Sequence, residues 1–144
     1  MDILVKRPPE GEKDKVTIEV GQVTARILRA IEMLSHPDDL TVYQENKVSL
    51  LAIPDIFYIE TVDTKTYVYA ESEVYLSKLR LAEIENLLDK GDFIRISKQV
   101  LVNLQKIESI YPVGGGRFQA QLSNKEEIII SRQFVPKLKE VYGI

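Results

Sequence analysis

The amino-acid sequence predicts a mainly β (α+β) fold with about three short helices. Two observations predict it. From Leu40 onward, short runs rich in Val, Ile, Tyr and Thr recur between tight turn signals, a composition suited to pleated surfaces. Three other segments carry apolar residues at helical spacing instead.

The elements follow in order. Asp2–Lys6 reads as a short strand, ended by a charged, Pro-containing turn over Arg7–Asp14, and Lys15–Val20 alternates like a second strand. Val23, Ile27, Ala30, Ile31 and Leu34 then define an amphipathic helix over Gln22–Ser35. His36-Pro37 ends it, because the residue before proline is pushed away from helical dihedrals. Leu40–Tyr43 and Lys47–Ile53 form a hairpin around Glu45-Asn46. Ile56–Val62 and Thr66–Ala70 flank a turn at Asp63-Thr64-Lys65, and Glu73–Ser77 follows. Leu81, Ile84, Leu87 and Leu88 mark a second helix, with Gly91 placed to cap its C-terminus. Asp92–Leu104 is less regular. Lys106–Val113, Arg117–Leu122 and Glu126–Ser131 form a three-strand meander turning at Gly114–Gly116 and Ser123-Asn124. Phe134, Val135, Leu138, Val141 and Tyr142 give a last helix from near Arg132 to before Gly143, with Pro136 in its first turn. The boundary in the chain falls near residues 37–46. It separates a strand–helix extension, residues 1–45, from a β-rich domain, residues 46–144.

Composition narrows the function classes. The chain has 144 residues, 44% hydrophobic and 28% charged, as in ordinary globular proteins. It lacks an apolar run long enough for a membrane-spanning helix, and its N-terminus does not read as a signal peptide. With no cysteine there is no disulfide or thiolate metal site, and a cytoplasmic location is expected. The net charge of −3 opposes nucleic-acid binding, but the charge is uneven. Residues 1–91 hold 11 Lys/Arg and 17 Asp/Glu, whereas residues 92–144 hold 8 and 5, a net of +3 that permits a basic face.

Catalytic chemistry is not encoded in any recognisable pattern. The single histidine, His36, sits beside a proline at a helix end, and no metal-ligand spacing or nucleophile elbow accompanies it. Gly114-Gly115-Gly116 lacks a following Lys-Ser/Thr and precedes a strand, so it reads as a β-turn rather than a phosphate cradle. Asp38-Asp39 and Glu126-Glu127 are adjacent carboxylates that point apart on regular elements. Neither an enzymatic activity nor a cofactor is expected.

A series of blocks carries more. Asp55–Glu60 is followed by Tyr67–Tyr69, Ser77–Glu85, Phe93–Lys98 and Val100–Asn103. Then come Lys106–Ile110, Gly116–Phe118 and Ile129–Arg132 ahead of the last helix. In this order and spacing they resemble the LytTR family of DNA-binding domains. The resemblance implies small, mostly antiparallel sheets with short helices, and loops that enter successive major grooves in place of a recognition helix. It also implies a sequence-specific regulator of transcription acting at promoter repeats.

Three places match the family's DNA-contacting elements. Lys65 lies in the turn after Asp55–Glu60. Ser97, Lys98 and Gln99 follow Phe93-Ile94-Arg95, and here the chain departs from the His-Asn or similar pair of many family members, which puts base preference in doubt. Arg132 follows Ser131 at a strand end, where a guanidinium suits guanine O6 and N7, with Gln133 and Lys137 beside it. Ser131 is expected to cap the helix that follows. Asn103 reads as scaffold that satisfies backbone groups in a turn.

About 45 residues precede the blocks, too few for a receiver domain, so the chain resembles the stand-alone regulators of the family. The expected partners are duplex DNA, a second copy in a homodimer, and an unnamed regulatory protein. The helix at Gln22–Ser35 either covers its own domain or pairs subunits. A competing reading is a LytTR-like protein-interaction module with weak or no specific DNA binding, favoured by the net acidity and the Ser97-Lys98 departure.

Overall fold

In a computed structural model, residues 1–12, 17–34, 39–88 and 91–144 are described. The chain divides into two compact units, Met1–His36 and Pro37–Ile144.

In the first unit, α1 spans Ala25–Leu34. It begins three residues later than the apolar spacing suggests because Thr24 forms its cap: the Ile27 N–H donates to Thr24 Oγ1 at 3.3 Å. Ile27 is buried, whereas Val23 and Leu28 are exposed. Asp2–Lys6 forms no strand, nor do residues 17–20. Ile3, Leu4 and Val5 are largely exposed, since a segment without a partner strand leaves its backbone groups to water. Lys15, Val16, Ser35, His36, Pro37 and Asp38 lie outside the described residues, so the expectations placed on them stand as sequence readings.

Among its described residues the second unit carries ten strands. These are β1 (Asp39–Gln44), β2 (Lys47–Ala52), β3 (Tyr58–Val62), β4 (Lys65–Tyr69), β5 (Val74–Ser77), β6 (Phe93–Arg95) and β7 (Val100–Asn103). The last three are β8 (Ile107–Gly114), β9 (Arg117–Leu122) and β10 (Glu127–Ile130). Helix α2 (Leu81–Leu87) lies between β5 and β6, and α3 (Val135–Tyr142) follows β10. β1 to β7 build one sheet in the order β2-β1-β5-β4-β3-β7-β6, and β8 to β10 build a second, ordered β10-β9-β8. Every pairing is antiparallel. The expected fold class is the one observed. β1 belongs to the larger sheet, so that sheet takes in residues ahead of position 46.

Two apolar cores hold this unit together. One gathers Val42, Ile59, Val68, Ile84, Phe93 and Leu101 between the large sheet and α2. The other gathers Phe57, Ile94, Val102, Leu122, Ile130 and Leu138 around the small sheet and α3. Neighbouring residues enter opposite cores: Phe93 and Leu101 the first, Ile94 and Val102 the second. Successive side chains on a strand point to opposite faces, so β6 and β7 are buried on both. That double burial removes the polar positions by which alternation is read, and explains why Asp92–Leu104 looked irregular.

Helix ends follow local chemistry. α2 stops at Leu87, with Leu88 extended and its N–H on Ile84 O, so Gly91 does not cap it. α3 has Pro136 in its first turn and ends at Gly143, in the left-handed region at φ 70°. Asn103 is buried and bridges two segments. Its Nδ2 donates to Ile56 O at 2.8 Å, and its Oδ1 accepts from the Gln105 N–H at 3.0 Å. Among the described residues no helix is long and apolar enough to cross a membrane.

Candidate nucleic-acid interface

Three loops meet at one end of the β3–β7 pair. β3 and β4 close through a two-residue turn in which Asp63 and Thr64 have φ of 49° and 66°. Positive φ at both centres is the hairpin geometry that suits strand twist. Lys65 is therefore the first residue of β4, paired with Val62, and not part of the turn. Its side chain is exposed at the hairpin tip.

The loop joining β6 to β7 lies alongside. The Thr61 N–H donates to Gln99 O at 2.9 Å, and the Ile96 N–H to Val100 O at 3.0 Å. Ser97 Oγ accepts from the Gln99 N–H at 3.2 Å, a local turn that presents Lys98 and Gln99 to solvent. Arg95 clamps this loop from beneath. Its Nε donates to Glu85 Oε2 at 2.8 Å and its Nη1 to Lys98 O at 2.6 Å. The loop thus gains support from α2, and the arginine spends its charge on structure. Sequence reasoning did not single out Arg95, whose role depends on the approach of α2 to β6.

The third element enters from the small sheet. The Ser131 N–H donates to Ile96 O at 2.8 Å, which ties the end of β10 to the 97–99 loop. Residues Arg132–Phe134 make one 3₁₀ turn before α3. Ser131 starts that turn, but its side chain makes no capping hydrogen bond. The expected cap is therefore absent. The backbone does the work instead, with the Phe134 N–H on Ser131 O at 2.9 Å. Arg132 runs over Gly116. A Cβ on Gly116 would lie 2.7 Å from Arg132 Cδ, and Gly116 itself has φ 75°. Only glycine suits both the left-handed backbone and the arginine stem above it. Arg117, across the same turn, donates from Nε to Gly114 O at 3.3 Å.

Lys65 at the base of the hairpin turn, Ser97, Lys98 and Gln99 on the β6–β7 loop, and Ser131 and Arg132 after β10 thus stand on segments tied to one another by backbone hydrogen bonds. Lys65, Lys98, Gln99, Arg132, Gln133 and Lys137 are exposed. Among the described residues Lys65, Lys98 and Arg132 form no salt bridge, whereas Lys137 lies 4.0 Å from Glu140 on α3. Three cations without carboxylate partners on rigid loops are suited to phosphates and base edges. Behind them, Tyr58 and Tyr69 stack with ring centroids 4.2 Å apart. Burial, then Glu126, pushes the Tyr58 phenol well above its ordinary value, and burial with Glu60 raises Tyr69. These tyrosines are neutral packing groups, set within the strands. No group of three or more metal-ligating side chains gathers among the described residues.

This arrangement is that of a β-rich domain with exposed cations gathered at one end of the β3–β7 pair. The pattern of the LytTr DNA-binding domain family matches residues 46–143. The chain belongs to that family. Among solved structures, it is similar to the LytTr DNA-binding domain of a Bacillus cereus protein described as a methyl-accepting/DNA response regulator. The two are 29% identical with a TM-score of 0.71, over 74% of this chain and 97% of that one. Sensory transduction protein LytT of Enterococcus faecalis is 25% identical over 97% of this chain and 59% of its own length. Transcriptional regulatory protein YpdB of Escherichia coli O6:H1 is 25% identical over 83% and 49%. The uncharacterized HTH-type transcriptional regulator SAR2449 of Staphylococcus aureus is 26% identical over 82% and 80%. The chain spans about half the length of the first curated relatives it matches.

Proposed function

We propose that the chain is a sequence-specific, double-stranded DNA-binding regulator of transcription that acts at promoter repeats. It works in the cytoplasm as a homodimer and responds to a further regulatory protein. The observation that carries this reading is the junction at Ile96 and Ser131, which sets Lys98 and Arg132 on adjoining loops without carboxylate partners. In this reading Arg132 pairs with guanine in the major groove, and Lys98 and Gln99 enter beside it. Lys65 meets the backbone at the hairpin tip, and Ser131, Gln133 and Lys137 hold neighbouring phosphates. Base edges are distinguishable in that groove, and phosphate contacts set register without reading sequence.

Selection from a randomised duplex pool tests it. The expected result is enrichment of a repeated motif, bound with an affinity that falls linearly in log salt by about 0.9 per phosphate neutralised. A pool that yields no motif, bound weakly and only at low salt, contradicts the reading.

A further inference from the structure

The large sheet has one edge that differs from the others. β2 is its outermost strand on one side. The two-residue hairpin makes Gln44 and Lys47 the closing hydrogen-bonded pair, so alternate residues of β2 face β1. Lys47, Ser49 and Leu51 direct their N–H and C=O groups to β1, and Val48, Leu50 and Ala52 direct theirs outward. Among the described residues, none of these outward groups has a backbone partner beyond the strand.

The side chains at this edge are apolar and uncovered. Val48 is 66% exposed and Leu50 70%. The row continues inward through Tyr43 to Leu76, by the register of β1 with β2 and with β5. Natural sheets blunt such edges with charge, proline, bulges or brevity. The remaining edges do so: β6 has three residues, and β8 carries Pro112 and two breaks in register. β10 has four residues and opens on Glu127. β2 runs six residues with a single charge, Lys47, at its first position.

We infer that β2 is the interface for a second copy of this chain, paired antiparallel across a two-fold axis into one continuous sheet. This deepens the homodimer reading above and rests on it. Charge selects the occupant and the direction. Lys47 opens the strand, and Asp55 ends the 3₁₀ turn Ile53–Asp55 just beyond it. Antiparallel pairing brings each Lys47 toward the partner's Asp55, whereas parallel pairing would set Lys47 against Lys47. Hydrogen bonding restricts the register further, because outward residues must meet outward residues. Of the registers centred on the strand, Leu50 opposite Leu50 sets Lys47 across from the partner's Ile53, two residues short of Asp55, while Ser49 opposite Ser49, with Val48 against the partner's Leu50, sets it across from Leu51, so the charges favour the first. Each copy offers one such edge, so the two-fold closes the assembly at two chains. β1, β5 and β4 stand between β2 and β3, roughly 19 Å at the usual strand spacing, so the loop end stays open.

The test uses the whole chain and its Leu50→Lys variant, in sedimentation velocity and amide hydrogen exchange. Position 50 is exposed, so the variant keeps the fold, and far-ultraviolet circular dichroism checks that it does. The expected result is a dimer mass for the wild type and a single-chain mass for the variant. The amides of Val48, Leu50 and Ala52 are then protected in the dimer and exchange freely in the variant. A dimer that survives Leu50→Lys with those amides unprotected overturns this interface and leaves the homodimer standing. A wild type that stays monomeric at every concentration overturns both.

Discussion

Strands β6 and β7 are buried on both faces, while the loop that joins them turns Lys98 and Gln99 to solvent. A few residues apart, one segment supplies stability and the other exposes the side chains proposed to contact DNA. Phe93, Ile94, Leu101 and Val102 alternate between two cores, so the ends of the loop are held from above and below. Within the loop Ile96 enters the second core, and Ser97, Lys98 and Gln99 do not. The loop is shaped by backbone bonds from Thr61 and Ser131 and by the Arg95 clamp. A rigid frame of this kind lets the exposed side chains vary with the DNA they meet while the fold is unchanged.

Breaking the buried half should have the largest effect. Leu101→Ala leaves a cavity against Ile59 and Ile84 and is expected to cost about 2–5 kcal/mol in urea unfolding. DNA affinity per folded molecule should be unchanged. A loss of affinity exceeding the loss of folded fraction would show that frame and loop are not separable. Asn103→Ala removes the donor to Ile56 O and leaves a buried carbonyl unpaired. About 1–3 kcal/mol of stability should go, again with little change in the salt dependence of binding.

The exposed half should respond in the opposite sense. Lys98→Ala is expected to shift stability by no more than about 0.5 kcal/mol. If Lys98 meets a phosphate, the slope of log affinity against log salt should fall in magnitude by about 0.9, read by fluorescence anisotropy. An unchanged slope would point Lys98 to a base edge or to solvent.

The smallest effect concerns Tyr58. Its phenol is raised in the folded state, by burial first and then by Glu126. A raised acid favours the protonated form, so its contribution is complete below the unfolded value near pH 10 and falls as pH rises beyond it. Tyr58→Phe should make the alkaline loss of stability shallower in thermal melts above pH ~10. A melt profile identical to wild type there would remove Tyr58 from the account.

How far the sequence could be read depended on whether the signal was local. The hairpins around Glu45-Asn46 and Asp63-Thr64-Lys65 were legible, though Lys65 belongs to β4, because turn residues and strand-forming runs lie within a few positions of each other. Asp2–Lys6 carries strand-forming residues yet forms no strand, since local composition does not provide a partner. The start of α1 shifted because Thr24 outweighs the apolar spacing ahead of it. In the site, Arg132 was legible from its place at a strand end. Its seat on Gly116 was not, because that contact joins turns of the small sheet far apart in sequence. The Arg95 clamp escaped notice for a similar reason: it needs Glu85, on another element.

The most direct test titrates wild type and Arg132→Ala against the selected duplex and against duplexes changed one base pair at a time. The account predicts that Arg132→Ala weakens binding by about 1–3 kcal/mol and loses discrimination at a single guanine, with the melting temperature unchanged. Equal discrimination at every position by the two proteins would contradict it.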